Sequence, residues 1–237
     1  VNGKGRRYRR NWQDKEKTSS DLIFAFESAV ANAVADLSRF SLVSDASTKV
    51  YVGDSRKTLN RVQSADIAIF SPPYPNSFDY TDVYNIELWM LGYLSSYADN
   101  SALRKGTLRS HVQIKWPRLL KLAESPSLQY AFTQLNEVRG DLWNPNIPEM
   151  VAHYFADLKG IFGRLYRILP PNGRAVVAIG DSQYAGVHVD VGGILEEVVH
   201  PLGFQLVEKG SIRSMRNSAQ HGGTFALSEH CLVFEKI

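Results

Sequence analysis

Apolar and polar positions along the chain alternate between helical and strand-like periods. After the plausible cap residues Ser19, Ser20 and Asp21, "LIFAFESAVANAVADLSRF" repeats its apolar residues at the helical interval and predicts a helix to about Phe40. "TKVYVGD" (48–54) reads as a short strand ending at Gly53-Asp54, and "ADIAIF" (65–70) as a second. The second does not alternate, so burial on both faces is expected. Residues 81–168 read as mostly helical. "DVYNIELWMLGYL" is amphipathic, and "NIPEMVAHYFADLKGIFGRLYRIL" makes a long helix stopped by Pro170-Pro171-Asn172-Gly173. "RAVVAIGD" then predicts a strand, "HVDVGGILEEVVHPLGF" a helix, and "FQLVEKGSIR" and "SEHCLVFEK" two closing strands.

Strands that alternate with helices and carry continuous apolar runs predict an α/β fold with a mainly parallel sheet. The last two strands, joined by a polar loop, should form an antiparallel hairpin at one edge. The expected organisation is an arm over 1–19, a helical lead-in over 20–47, and one domain over 48–237 with a helical insert at about 81–147. At 237 residues, one domain with insertions is the better expectation. A hydrophobic content of 44% with 22% charged residues excludes global disorder. Cys231 is the only cysteine, which excludes an internal disulfide and fits a reducing compartment. No apolar run approaches the roughly 20 residues that span a bilayer. A soluble cytoplasmic protein is expected.

In open α/β sheets ligands bind beyond the carboxyl ends of the strands. Three predicted strands end there in polar residues: Asp54, then Ser71-Pro72-Pro73-Tyr74, then Asp181-Ser182. These should line one crevice. Asp54 could accept hydrogen bonds from a ribose or an exocyclic amine, or, with Ser55, cap the helix begun by "RKTLNRV". Neither Pro72 nor Pro73 has an N–H for a sheet ladder, so they stiffen the turn and aim the carbonyls at 71–73. Ser71 adds a hydroxyl that donates and accepts. Tyr74 offers a flat face for a base, worth roughly 1–3 kcal/mol. Together they suit an amino group on a planar heterocycle.

Net charge is only +3, but its distribution is uneven. "GKGRRYRRNW" concentrates Lys4, Arg6, Arg7, Arg9 and Arg10 beside Tyr8 and Trp12, and "LRKGTLRSHVQIKWPRLLK" holds Arg104, Lys105, Arg109, Lys115, Arg118 and Lys121 without an acid. Either run can be a solvated face; both match the footprint of a phosphate backbone. The loop "RSMRNSAQHGG" (213–223) adds Arg213, Arg216, Asn217 and Gln220, side chains that read base edges. The six histidines show no metal-ligand spacing with Cys231, so no metal site is expected.

Asp/Ser/Asn-Pro-Pro-Tyr at a strand end resembles the catalytic motif of the amino-group DNA methyltransferases, which use S-adenosylmethionine (SAM). "VYVGDSRKTLNRVQSADIAIFSPPY", "ILPPNGRAVVAIGDS" and "SEHCLVFEK" resemble further parts of that family, over 48–75 and 148–236. The resemblance implies a Rossmann-like class I methyltransferase sheet and transfer of a methyl group to an exocyclic amine of a flipped DNA base. The serine form resembles the cytosine-N4 branch more than the adenine-N6 branch. Ser71 and the Pro72 carbonyl would hold the amine, and Tyr74 would stack on the base. Asp54 would contact the adenosyl group, with Ser55, Ser71 and Pro72 near the cofactor.

The family's glycine-rich SAM loop has no counterpart here: Gly3-Lys4-Gly5 follows no strand, Gly192-Gly193 lies in a predicted helix, and Gly222-Gly223 in a polar loop. In the family's sheet order the strands at 48–53 and 65–70 correspond to the third and fourth, with the first two between them. The expectation is therefore an incomplete sheet, strands three to seven present, completed by another segment or a second chain. Alternatives are base methylation of RNA and a catalytically inactive DNA-binding subunit of a modification complex. A nuclease ranks last, for want of clustered acids.

Overall fold

The computed structural model describes residues 16–39, 47–119, 121–215 and 227–237. The expectations placed on Arg6, Arg7, Arg9, Arg10, Arg216, Asn217 and Gln220 lie outside the described residues. The chain forms two compact units, 1–51 and 52–237.

In the first unit, helix α1 (Ser19–Arg39) begins at the first of the expected cap residues, and Thr18 precedes it. The Thr18 hydroxyl accepts from the Asp21 N–H at 3.2 Å, and the Asp21 carboxylate accepts from the Thr18 N–H at 2.9 Å. This reciprocal capping satisfies two orphan donors. No residue of α1 is buried.

The second unit opens with the short helix α2 (Ser55–Thr58) and strand β1 (Ile67–Phe70). Helices α3 (Tyr80–Val83), α4 (Asn85–Met90), α5 (Tyr97–Gly106), α6 (Pro126–Glu137) and α7 (Ile147–Ile168) follow. Strands β2 (Arg174–Gly180), β3 (Ser182–Tyr184) and β4 (Val187–Val189), helix α8 (Val191–Val199), and strands β5 (Phe204–Met215) and β6 (Leu227–Lys236) complete it. Among the described residues no helix is long and apolar enough to cross a membrane.

The main sheet has the order β1-β2-β6-β5. β1 runs parallel to β2, β2 antiparallel to β6, and β6 antiparallel to β5. The closing hairpin is as expected, but the sheet is mixed rather than mainly parallel. Two further expectations fail for one reason. Residues 48–54 form no strand, and Val50 and Val52 are exposed. β1 is not buried on both faces: Ile67 is 50% and Ile69 72% exposed. A strand exists only through its partners, and among the described residues β1 has a neighbour on one side alone.

Register divides the sheet into two unlike faces. Ala175, Val177, Ile179, Leu232 and Phe234 are fully buried on one. There Phe162 of α7 meets Phe204 and Phe234 edge-on at 5.2 and 5.4 Å, and Phe70 at 6.1 Å. By alternation along paired strands, Ile67, Ile69, Val176, Ala178, Cys231 and Val233 share the other face. None of these six is fully buried.

Local signals explain most of the other boundaries. The Lys236 ammonium donates to the carbonyls of Tyr166 and Leu169 at 2.7 and 2.8 Å, satisfying the end of α7 where Pro170 stops it. α8 starts later than expected because Asp190 is its cap, accepting from the Gly193 N–H at 2.9 Å. His188 and Val189 belong instead to the β3–β4 hairpin. The amphipathic stretch 82–94 is two short helices, broken where the chain leaves helical geometry at Tyr84.

The contrast between the faces is testable in this polypeptide. Ile69→Ser should leave stability within about 0.5 kcal/mol, as at an exposed site. Phe162→Ala should cost about 3–5 kcal/mol. Urea unfolding measures both; a comparable loss in the two variants would contradict the uncovered face.

Candidate active site

β1 carries the chain into Ser71 at the carboxyl end of the sheet. Ser71 is exposed and Pro72 buried, so the turn is rooted in the core, and the Ser71 side chain hydrogen-bonds with the Tyr74 phenol. The root is pinned from several sides. The fully buried Tyr184 donates its hydroxyl to the Pro75 carbonyl at 2.6 Å. The Ser77 N–H donates to the Ser110 carbonyl at 3.0 Å, and the Ser77 hydroxyl accepts from the Val112 N–H at 3.2 Å. Ser77 has a φ of 59°, a strained value for a non-glycine residue that these bonds maintain.

Tyr74 is fixed by its ring and its hydroxyl. A Cβ on Gly180 would lie 2.9 Å from the Tyr74 ring, so the ring rests on bare backbone that no other residue could supply. The phenol donates to the carboxylate of Glu229, the register partner of Gly180 on β6. Glu229 also accepts from the Arg213 guanidinium on β5. Burial first, then the bond to Glu229, pushes the Tyr74 phenol up to about 12. The bonds from Tyr74 and Arg213 hold the Glu229 carboxyl below its ordinary range. Sequence reasoning missed Glu229. The available signal was an acid in the row Glu229, Cys231, Val233, where an apolar residue would be unremarkable.

Asp54 follows Gly53, whose φ of 135° is a glycine conformation. Asp54 caps α2, accepting from the Arg56 N–H at 2.9 Å, and its carboxylate pairs with the Arg56 guanidinium at 2.9 Å. Burial raises this carboxyl, and the Arg56 side-chain and backbone bonds outweigh it, leaving a net lowering. Ser55 is exposed beside it. Asp54, Ser55, Ser71, Pro72 and Pro73 line one crevice of about 1030 Å³ that also runs along the whole of β1. Tyr74, Asp181 and Ser182, expected in the same crevice, are not in its lining. Asp181 lies 3.4 Å from both His188 and His230 and accepts from the Val191 N–H at 3.1 Å.

Two arginines expected to face a polyanion have internal partners. Arg109 donates to the buried Asp157 carboxylate at 3.0 and 2.5 Å, and Arg56 reaches the same group at 2.8 Å. Arg104 pairs with buried Asp79 at 2.7 Å. Lys105 is exposed. Asp157→Ala would leave two half-buried guanidinium groups without their shared anion, so a loss of about 3–5 kcal/mol is expected. Urea unfolding at neutral pH reads it; a loss below about 1 kcal/mol would show that these arginines are solvated.

No protein-family model matches the chain. It is 31% identical over 172 residues to the type II methyltransferase M.AvaI of Nostoc sp. and equally to that of Anabaena variabilis, a match covering 67% of this chain and 35% of the relative. It is 28% identical over 197 residues to the type II methyltransferase M.BsoBI of Geobacillus stearothermophilus, covering 72% of this chain and 38% of that one. The chain thus spans little more than a third of the length of the curated relatives it matches. Among solved structures it resembles TTHA0409 of Thermus thermophilus, assigned to the DNA modification methylases, with a TM-score of 0.41 at 16% identity over 80% of this chain and 54% of that one. The same protein complexed with S-adenosyl-L-methionine gives 0.38 at 14% identity, over 80% and 54%. Both likenesses are too distant to support a residue-level comparison.

Proposed function

This chain is related in sequence to the type II DNA methyltransferases, and from that premise we propose that it carries the amine-gripping part of a site that methylates an exocyclic amino group in DNA, cytosine-N4. The observation that carries the reading is the turn Ser71–Tyr74, with an exposed serine, a buried proline root and a tyrosine ring laid on Gly180.

The chemistry follows from these groups. An exocyclic amine is a poor nucleophile because its lone pair is delocalised into the ring. The Ser71 hydroxyl and the Pro72 carbonyl accept its two N–H bonds, which favours a tetrahedral nitrogen with its lone pair free. Tyr74 stacks on the base, offsetting part of the few kcal/mol that flipping it from a duplex costs. A neutral serine is a weak base, so positioning and electrostatics dominate, and the amine proton leaves with or after transfer. SAM, when bound, supplies a methyl group on a sulfonium. The residues present suit its adenosyl part: the Asp54 carboxylate keeps acceptor capacity beyond its bonds to Arg56, and Ser55 and Pro72 stand beside it.

The methionine part of SAM needs groups not found among these residues. None of the described strands is followed by the family's glycine-rich turn. We assign that turn to the unit that completes the sheet at β1, whether a further segment of the same polypeptide or a second chain. The unpaired edge of β1, the exposed Ile67 and Ile69, and the crevice running beside them support this. The arm residues Arg6, Arg7, Arg9 and Arg10, with Lys105 and the loop residues Arg213, Arg216, Asn217 and Gln220, are assigned to DNA. A DNA modification system is the setting these relatives suggest.

Nucleoside mass spectrometry of DNA from cells carrying the complete gene tests the reading. N4-methyldeoxycytidine should be present and should fall at least about 100-fold with Ser71→Ala, the scale of losing one preorganised group at a reacting centre. Equal modification in the variant would overturn the role of Ser71. N6-methyladenine would move the target to the other branch, methylation confined to RNA would move it to that polymer, and no modification in either strain would favour an inactive subunit.

A further inference from the structure

We propose that Glu229, braced by Arg213, is a positioning residue for this reaction: it grips the Tyr74 hydroxyl and sets the angle of the ring on which the target base stacks. The inference rests on the methyl-transfer reading of Ser71–Tyr74 and adds a residue to it.

A tyrosine at a turn can rotate about two side-chain bonds, and a stacking platform is useful only when both are fixed before the base arrives. Gly180 supplies a floor for the Tyr74 ring, because its missing Cβ lets the ring settle on the β2 backbone. A floor alone leaves the ring free to slide. The bond from the Tyr74 hydroxyl to Glu229 closes that freedom at the far end of the side chain.

Glu229 is placed for this and for little else. It is 8% exposed, and a carboxylate so buried is costly unless its oxygens are satisfied. One oxygen accepts from Tyr74 and the other from Arg213. An ion pair serving stability alone would need only the arginine. The second bond joins the last strand of the sheet to the motif turn, across 155 residues of sequence. Arg213 stands at 72% side-chain exposure, so its guanidinium can hold Glu229 and still meet solvent or a phosphate. The bonds from Tyr74 and Arg213 favour the ionised Glu229, and an ionised carboxylate accepts from a phenol without offering a competing proton.

The test is a set of variants in the complete enzyme, each checked by thermal melting and assayed for methyl transfer to duplex DNA under single-turnover and steady-state conditions. Glu229→Ala should lower kcat about tenfold or more, within the roughly 100-fold cost of a small misplacement, with little change in KM for DNA. Tyr74→Phe, which keeps the ring and removes the hydroxyl, should match it, and the double variant should be no worse than either single. Glu229→Gln, which still accepts from the phenol, should recover most of the rate. If Glu229→Ala does not fold, the comparison of Glu229→Gln with Tyr74→Phe stands in its place. Multiplicative losses in the double variant, or wild-type kcat in Glu229→Ala or Tyr74→Phe, would overturn the positioning role. Tyr74→Ala separates the two levels. Loss of transfer there with normal Glu229→Ala sinks only this inference, whereas full transfer in Tyr74→Ala sinks the methyl-transfer reading itself.

Discussion

The turn on which the site is built hangs from a strand that, among the described residues, has a partner on one side only. β1 pairs with β2 through the register Ile67–Arg174 to Phe70–Val177, and its other edge pairs with no strand among the described residues. One side-chain row of the strand, Ala68 and Phe70, is anchored in the core against α7, and the other, Ile67 and Ile69, is exposed. Burying an isoleucine stabilises a fold by about 1.5–3 kcal/mol, so two left in water at the centre of a ligand crevice mark a surface with further contacts to make. The turn itself does not depend on those contacts. Gly180, Tyr184 and Glu229 hold it from β2, β3 and β6. The groups of the Ser71–Tyr74 turn are therefore preorganised even where the sheet is open.

Electrostatics divide the basic residues into two kinds. Arg56, Arg104 and Arg109 hold the fold together through Asp157 and Asp79, and Arg56 ties the Asp54 cap to α7 in the same network. That network fixes Asp54 at the head of the crevice, with the Arg56 Nε–H in reach of both carboxylate oxygens at 2.9 and 3.2 Å. Lys105, Lys115 and Arg118 remain exposed and available to a phosphate backbone. A count of cations along 104–121 overstates the surface charge, because the buried acids that consume it lie elsewhere in sequence.

What the sequence made legible was long-period order. The α7 helix, β2, and the closing hairpin were readable because their periodicity is sustained and bounded by clear stops such as Pro170 and Gly173. The motif Ser71–Tyr74 was readable because paired prolines at a strand end have few structural uses. The edge position of β1 was not, since "IAIF" reads the same whether one neighbour is present or two. The segment 48–54 has strand composition but pairs with no strand among the described residues. Glu229 was hidden for a different reason: its value lies in a partner at Tyr74 and a gap at Gly180, and neither separation has a periodic signature. The same holds for Arg109 and Asp157, which are 48 residues apart.

The central claim is a division of labour, in which this polypeptide grips the target amine and its cofactor contacts are incomplete until the sheet is extended past β1. Calorimetric titration of residues 1–237 with SAM addresses it directly. No binding at micromolar concentration is expected for this polypeptide alone, and binding is expected on addition of the glycine-rich unit that completes the sheet. Micromolar affinity of residues 1–237 by themselves would contradict it.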